Sequence, residues 1–308
     1  MVGHHLDHRL AKGKPLTPEL LADALLAATR EAEGTYAIAL LHAGLPGVLL
    51  GARRGSPIVV GLGNDETFLA SDVSPILAHA RKVIYMLDGD IVTISGSAVS
   101  VMANGKPGRR PTSTVDWSAE AAERGKYPHS MLKEVFEQPE RVGEVLRRTL
   151  RPGKGTVAFE ESALSHKELA RIRRLLLVDC GTSWHACLIG EYVIETLARL
   201  PVEVECASEM RYRNRPLETD TLLVSLSQSG ETADTLATIR LARSQGVPAL
   251  AIVNVAGSTI AREADADIFM RAGPEIGVAS TKAFEMQVLC LTLLPLALGR
   301  RGGQRAHP

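Results

Sequence analysis

The feature that most constrains this fold is an alternation that begins at Arg171. Short apolar runs and helix-length stretches follow one another. They run Leu175–Asp179, a helical stretch to Leu197, Val202–Cys206, Leu222–Leu226, a helix through Ser244, Ala249–Asn254, a short helix from Ser258, Asp267–Met270, and a very apolar helix from Ser280 to Leu298. Strands that alternate with helices predict a parallel sheet of five strands with helices on both faces. The tail from Gly299 to Pro308 is basic and glycine-rich and is expected to fray.

In open parallel sheets, ligands bind beyond the carboxyl ends of the strands. Three hydroxyl-rich segments fall there at predicted helix starts: Gly181-Thr182-Ser183, Ser227-Gln228-Ser229-Gly230-Glu231-Thr232 and Ile276-Gly277-Val278-Ala279-Ser280-Thr281. Each is expected to offer backbone N–H groups, the positive end of a helix and short hydroxyl donors. Any one of them alone reads equally well as a helix cap, since Ser and Thr favour that position. Three on one sheet edge point instead to an anion cradle, above all for a phosphate. Neither G-x-x-x-x-G-K-[ST] nor a G-x-G-x-x-G after a strand occurs, and Gly61-Leu62-Gly63 lies between short strands, so nucleotide sites lack support.

The first half has another style. Thr17-Pro18-Glu19 is a helix start, and Leu20, Leu21, Ala24, Leu25 and Ala28 follow at helical spacing. After Gly34 come strand-like runs at Tyr36–Leu41, Val48–Leu50, Ile58–Val60, Thr67–Ala70, Val83–Leu87 and Ile91–Ile94. Short turns between them imply antiparallel pairing, and Asp88-Gly89 is expected to close a tight hairpin. The turn formers between Met102 and Lys126 predict a linker. A helix from His129 to Gln138 is expected to end at Pro139, with a second running on to Leu150.

At 308 residues, and roughly 150 residues per domain, two domains are expected. Lys+Arg and Asp+Glu are 35 each, so no excess charge draws the chain to nucleic acid or an anionic membrane. No apolar run approaches the ~20 residues of a membrane span, and Met-Val-Gly-His-His opens no secretory signal. Cys180, Cys187, Cys206 and Cys290 form no C-x-x-C pair and read as buried thiols of a reducing compartment, without disulfide or zinc site. His4, His5 and His8 lack the partners that would complete a metal site. Lys282, in the first turn of a helix, reads as solvated or as a phosphate partner, Cys180 as packing, and His185 as a packed histidine.

Three long motifs carry a resemblance. Cys180-Gly181-Thr182-Ser183, the run Ser225 to Thr235 and the run Glu275 to Phe284 closely resemble the glutamine–fructose-6-phosphate aminotransferase (isomerising) family. Arg54-Gly55-Ser56-Pro57, Phe68-Leu69-Ala70-Ser71-Asp72, Met131-Leu132-Lys133-Glu134 and Glu137-Gln138-Pro139 extend it toward the amino terminus, so that it covers about His5 to Leu298. The fold class that the resemblance implies is α/β. A partial αββα N-terminal-nucleophile, glutaminase-like region comes first, followed by a flavodoxin-like sugar isomerase (SIS) domain with a five-stranded parallel sheet. Its divisions are expected at 1–101 for the partial glutamine amidotransferase domain, 102–150 for a linker and connecting helices, and 151–308 for the SIS domain. The resemblance further implies that Ser183, Ser227, Gln228, Ser229 and Thr232 hold a sugar phosphate, and that Thr182, Val278 and Ser280 line the sugar.

The family makes glucosamine 6-phosphate from fructose 6-phosphate and glutamine. Its amino-terminal nucleophilic cysteine has no counterpart here, since residue 2 is Val and the first cysteine is Cys180. Its Schiff-base lysine, acid–base glutamate and ring-opening histidine fall in a second SIS domain and tail that the aligned positions do not include. No catalytic residue, metal or cofactor is therefore assigned. The expectation is a cytoplasmic chain that retains sugar-phosphate binding, with a hexose 6-phosphate as ligand and a second copy or a complementary chain as partner. The alternatives are a stand-alone sugar-phosphate binding or regulatory module and an inactive remnant.

Overall fold

The computed structural model describes residues 1–10, 13, 15–115, 124–159, 171–213 and 215–299. The chain divides into two units, Met1–Ala119 and Glu120–Pro308.

The first unit opens with helices α1 (Val2–Leu10) and α2 (Pro18–Glu31). Thr17 caps α2, accepting a hydrogen bond from the Leu20 N–H at 3.1 Å. Among the described residues nine strands follow: β1 (Tyr36–Leu41), β2 (Val48–Arg54), β3 (Val59–Leu62), β4 (Thr67–Ala70), β5 (Lys82–Tyr85), β6 (Asp90–Ser95), β7 (Ala98–Ala103), β8 (Lys106–Gly108) and β9 (Thr112–Thr114). They form two antiparallel sheets, in the orders β1-β2-β6-β7-β8 and β4-β3-β5-β9. Val60, Ile84 and Met86 of one sheet side pack against Val92 and Ile94 of the other. On the outer face of the first sheet, Leu21, Ala24 and Leu25 of α2 meet Leu50, Ala52 and Ile91.

Two expectations for this half are corrected. The Asp88-Gly89 turn does not close a hairpin between its flanking strands, because β5 and β6 lie in different sheets. Gly89, at φ +81, instead turns the chain from one sheet to the other. The supposed linker contains the end of β7, β8 and β9. Asn104 and Gly105, at φ +50 and +85, make the tight turn of a β7–β8 hairpin. Pro107 is tolerated there because β8 is an edge strand and needs no second ladder donor.

The second unit begins with α3 (Ser130–Thr149) and the short pair β10 (Leu150–Arg151) and β11 (Thr156–Val157). Pro139 lies inside α3 and does not end it. An interior proline costs about 3 kcal/mol. Burial of Val142, Val145 and Leu146 against the core offsets that cost.

The rest alternates as expected: β12 (Arg174–Asp179), α4 (Gly181–Ala198), β13 (Val202–Cys206), α5 (Ala207–Arg213), β14 (Thr221–Ser227), α6 (Ala233–Ser244), β15 (Ala249–Val253), α7 (Thr259–Glu263), β16 (Ala266–Phe269) and α8 (Lys282–Gly299). All five strands are parallel, in the order β13-β12-β14-β15-β16. Alternate residues serve opposite faces. Leu175 and Leu177 pack with α4 and α8, while Leu176 and Val178 pack with α5 and α6.

Strand order reverses at β12. The chain leaves β12 for β13 on one side and returns to β14 on the other. Helix α4 then covers one face of the sheet and α6 the opposite face. The loops that end β12 and β14 therefore diverge and leave a crevice between them.

Candidate functional site

That crevice is an open cleft of about 250 Å³. Thr182, Ser183, Ser227, Gln228, Ser229, Thr232, Val278 and Ser280 all line it, so the structure brings together every site residue singled out from the sequence. Asp179, Cys180, Glu275 and Gly277 complete the wall, and no lysine or arginine lines it among the described residues.

The loop after β14 is the most organised part. The Ser227 hydroxyl accepts from the Gly230 N–H at 3.0 Å and lies 3.3 Å from the Thr232 hydroxyl. Ser229 Oγ accepts from the Glu231 N–H at 3.2 Å. The turn needs Gly230, which sits at φ +69, and a Cβ there would stand 2.0 Å from Ser258 Oγ. Glu231 points away from the cleft and accepts from the Thr259 N–H at 2.8 Å. On the other wall, the Gln287 amide donates to Ser183 Oγ at 2.8 Å, and the Ser183 hydroxyl in turn donates to Asp179.

The third loop departs from expectation. The start of α8 offers no vacant anion cradle, because Glu275 occupies it. Its Oε1 accepts from the Thr281 and Ala283 N–H groups at 2.9 and 3.1 Å, and its Oε2 accepts from the Ser280 hydroxyl at 2.9 Å. This carboxylate fills the position at the helix start where an anion would sit. The same loop is tied to α3. The buried Glu134 accepts from the Ile276 and Gly277 N–H groups at 2.7 and 3.1 Å. Val278, at the loop tip, is fully exposed.

Lys282 is neither solvated nor turned to the cleft. It is 1% exposed, and its ammonium donates to Glu137 at 2.6 Å. Burial pushes the Glu137 carboxyl up, but the Lys282 and Lys133 ammonium groups outweigh it and hold the carboxyl below its usual range. His185 is exposed rather than packed, with Nδ1 3.0 Å from the Gly181 carbonyl. Cys187 and Cys290 are buried as expected, whereas Cys180 and Cys206 are only half-buried.

The sequence reading missed Asp179. It ends an apolar run and is 2% exposed at the floor of the crevice, where the Thr235 hydroxyl donates to it at 2.6 Å. Burial pushes its carboxyl up to about 7, against the pull of hydrogen bonds from Thr235, the Cys180 N–H and Ser183. A carboxyl in that state is about half protonated near pH 7 and largely neutral only about one pH unit lower, so it repels an anion in the cleft less than an ordinary aspartate does. Among the described residues no group of three or more His, Cys, Asp or Glu could hold a metal ion, and no helix is long and apolar enough to cross a membrane.

The model of the SIS domain family matches residues 168–297. The second unit contains a SIS domain. The C-terminal domain of glucosamine-fructose-6-phosphate aminotransferase from Francisella tularensis superposes on this chain with a TM-score of 0.56 and 38% identity, covering 60% of this chain and 52% of that one. In sequence the chain resembles glutamine–fructose-6-phosphate aminotransferases [isomerizing]. It is 46% identical to that of Chlorobaculum tepidum over 282 residues, 91% of this chain and 46% of the relative. It is 43% identical to that of Methanosarcina acetivorans over 294 residues, 94% and 48% respectively. The chain is thus a relative of these aminotransferases and spans about half the length of the curated relatives it matches.

Proposed function

We propose that the SIS domain binds a hexose 6-phosphate, as the sugar-binding part of an aminotransferase that acts on fructose 6-phosphate. The phosphate sits on the loop after β14, against Ser227, Gln228, Ser229 and Thr232, with Ser183 across the crevice. Thr182, Val278 and Ser280 face the sugar. The observation that carries this reading is the composition of the cleft. Hydroxyl and amide side chains gather at the switch point of a parallel sheet, and the start of α8 already holds Glu275. A phosphate monoester is held in this way by N–H and O–H donors alone.

The names of the relatives imply nitrogen drawn from glutamine. We assign the first unit to that side of the reaction, and no side chain of this chain to covalent chemistry.

Titration calorimetry with fructose 6-phosphate tests the assignment. A hydrogen bond to a charged acceptor is worth about 1.5–3 kcal/mol, so Ser229→Ala should weaken binding about tenfold or more. Thr232→Val should do the same while keeping the β-branched shape. Unchanged affinity in both variants would remove the phosphate from this loop.

A further inference from the structure

Cys206 is the register partner of Asp179 on neighbouring parallel strands, and Cys180 is the next residue after Asp179. A strand spacing of about 4.8 Å and an offset of one residue put the two Cα atoms roughly 6 Å apart, within the span of a disulfide. Both side chains turn to the same place, where each sulfur takes a hydrogen bond from the Ser208 N–H and the two thiols hydrogen-bond each other. The Cys206 sulfur also lies 3.3 Å from the Ser208 hydroxyl. Neither thiol is sealed off, and Cys180 lines the cleft immediately before the Gly181-Thr182-Ser183 turn. Cys187 and Cys290 are buried and do not compete.

We propose that Cys180 and Cys206 form a redox-active dithiol on the rim of the cleft, which a hydroperoxide closes to a disulfide and a thiol reductant reopens, and that closure weakens ligand binding. The two thiols differ in the way such a pair requires. Hydrogen bonds from the Ser208 hydroxyl, the Ser208 and Glu209 N–H groups and the Cys180 thiol hold Cys206 below the usual thiol range, whereas burial pushes Cys180 up. Cys206 is therefore the attacking thiolate and Cys180 the resolving thiol. The Cys206 sulfur bonds to the terminal peroxide oxygen, the O–O bond breaks, and the departing alkoxide or hydroxide takes up a proton. Cys180 then attacks the sulfenic sulfur. The S–S bond forms, the S–O bond breaks, and the hydroxide leaves as water with the Cys180 proton. Two thiols lose two electrons, and the hydroperoxide gains them. The bridge holds Cys180 against the end of β13 and so displaces the turn that carries Thr182 and Ser183.

The effect on binding rests on the sugar-phosphate reading, whereas formation of the disulfide does not. The test treats the whole chain with hydrogen peroxide, maps peptides without reduction, and titrates fructose 6-phosphate before oxidation, after it, and after dithiothreitol. The expected result is a Cys180–Cys206 linked peptide and an affinity about tenfold or more lower, a loss of ~1.4 kcal/mol, restored by dithiothreitol. Cys206→Ser should form no link and bind equally well before and after peroxide. Absence of the linked peptide overturns the dithiol. A linked peptide with unchanged affinity overturns the control of binding. If the reduced protein does not bind fructose 6-phosphate at all, the sugar-phosphate reading fails, and the linked peptide still decides the dithiol.

Discussion

Asp179 shows how much a single buried group can make the molecule depend on pH. Its carboxyl rises from 3.8 to about 7 on folding, driven by burial. The folded chain therefore keeps a proton that the unfolded chain has released. The sign follows directly. The contribution is full below the unfolded value near 4, shrinks as pH rises from there, and is lost above about 7. The melting temperature of the wild type should therefore fall between pH 5 and pH 8 more steeply than that of Asp179→Asn, which cannot ionise. Parallel pH profiles for the two proteins would show that Asp179 titrates normally. The residue escaped the sequence reading for a physical reason. An aspartate after Leu-Leu-Leu-Val marks a strand end in any parallel sheet, and only the packing of α4 and α6 around that end buries it. Lys282 and His185 were misplaced for the same reason. Whether a residue in the first turn of a helix faces solvent or core depends on neighbours far away in sequence, such as Glu137 for Lys282.

At the scale of elements, α3 matters more than its sequence suggests. Its Glu134 accepts two backbone N–H groups of the loop that presents Val278 and Ser280. Glu134→Ala leaves both donors unpaired. At about 1.5–3 kcal/mol for a hydrogen bond to a charged group, the cost is on the order of 3 kcal/mol in denaturant unfolding. Fructose 6-phosphate should also bind more weakly, because the loop loses its anchor. Lower stability with unchanged affinity would separate the anchor from the site. The three strand-end loops were legible because three hydroxyl-rich helix starts on one sheet edge are more than helix capping requires. Their separate duties were not. Glu231 and Glu275 look alike in sequence, yet one caps α7 away from the cleft and the other fills the start of α8 inside its wall. The persistence of α3 through Pro139 is a similar case, since the apolar face that outweighs the proline is visible only once it is packed.

At the scale of the whole molecule, the two units differ in how firmly their sheets are held. Every residue of β14 is buried, and the strand is paired on both sides. β1 is an edge strand whose Ala37, Ala39 and Leu41 are exposed, Leu41 at 74%, while Tyr36, Ile38 and Leu40 pack under the helices. Amide exchange should therefore be at least about 100-fold slower across Leu222–Leu226 than across Tyr36–Leu41, because an edge opens locally without global unfolding. Equal protection would mean that something covers β1. The contrast also explains what the sequence revealed of each half. A parallel sheet is apolar on both faces, so its strands stand out as continuous runs, and their order along the chain gives the fold class. Strands of the first half such as β2, β3 and β6 are short apolar runs as well, and such a run does not say which sheet a strand joins. The pairing of β3 with β5, and the departure of β6 to the other sheet, follow from contacts across the core.

The central claim is that the crevice between the ends of β12 and β14 is a phosphate cradle. Its most direct test is calorimetric titration of the unaltered chain with fructose 6-phosphate, fructose and inorganic phosphate. The account predicts saturable binding of fructose 6-phosphate, binding of fructose weaker by far more than tenfold, and competition by inorganic phosphate. Equal binding of fructose and fructose 6-phosphate would contradict it, and would leave the hydroxyl-rich loops as helix caps.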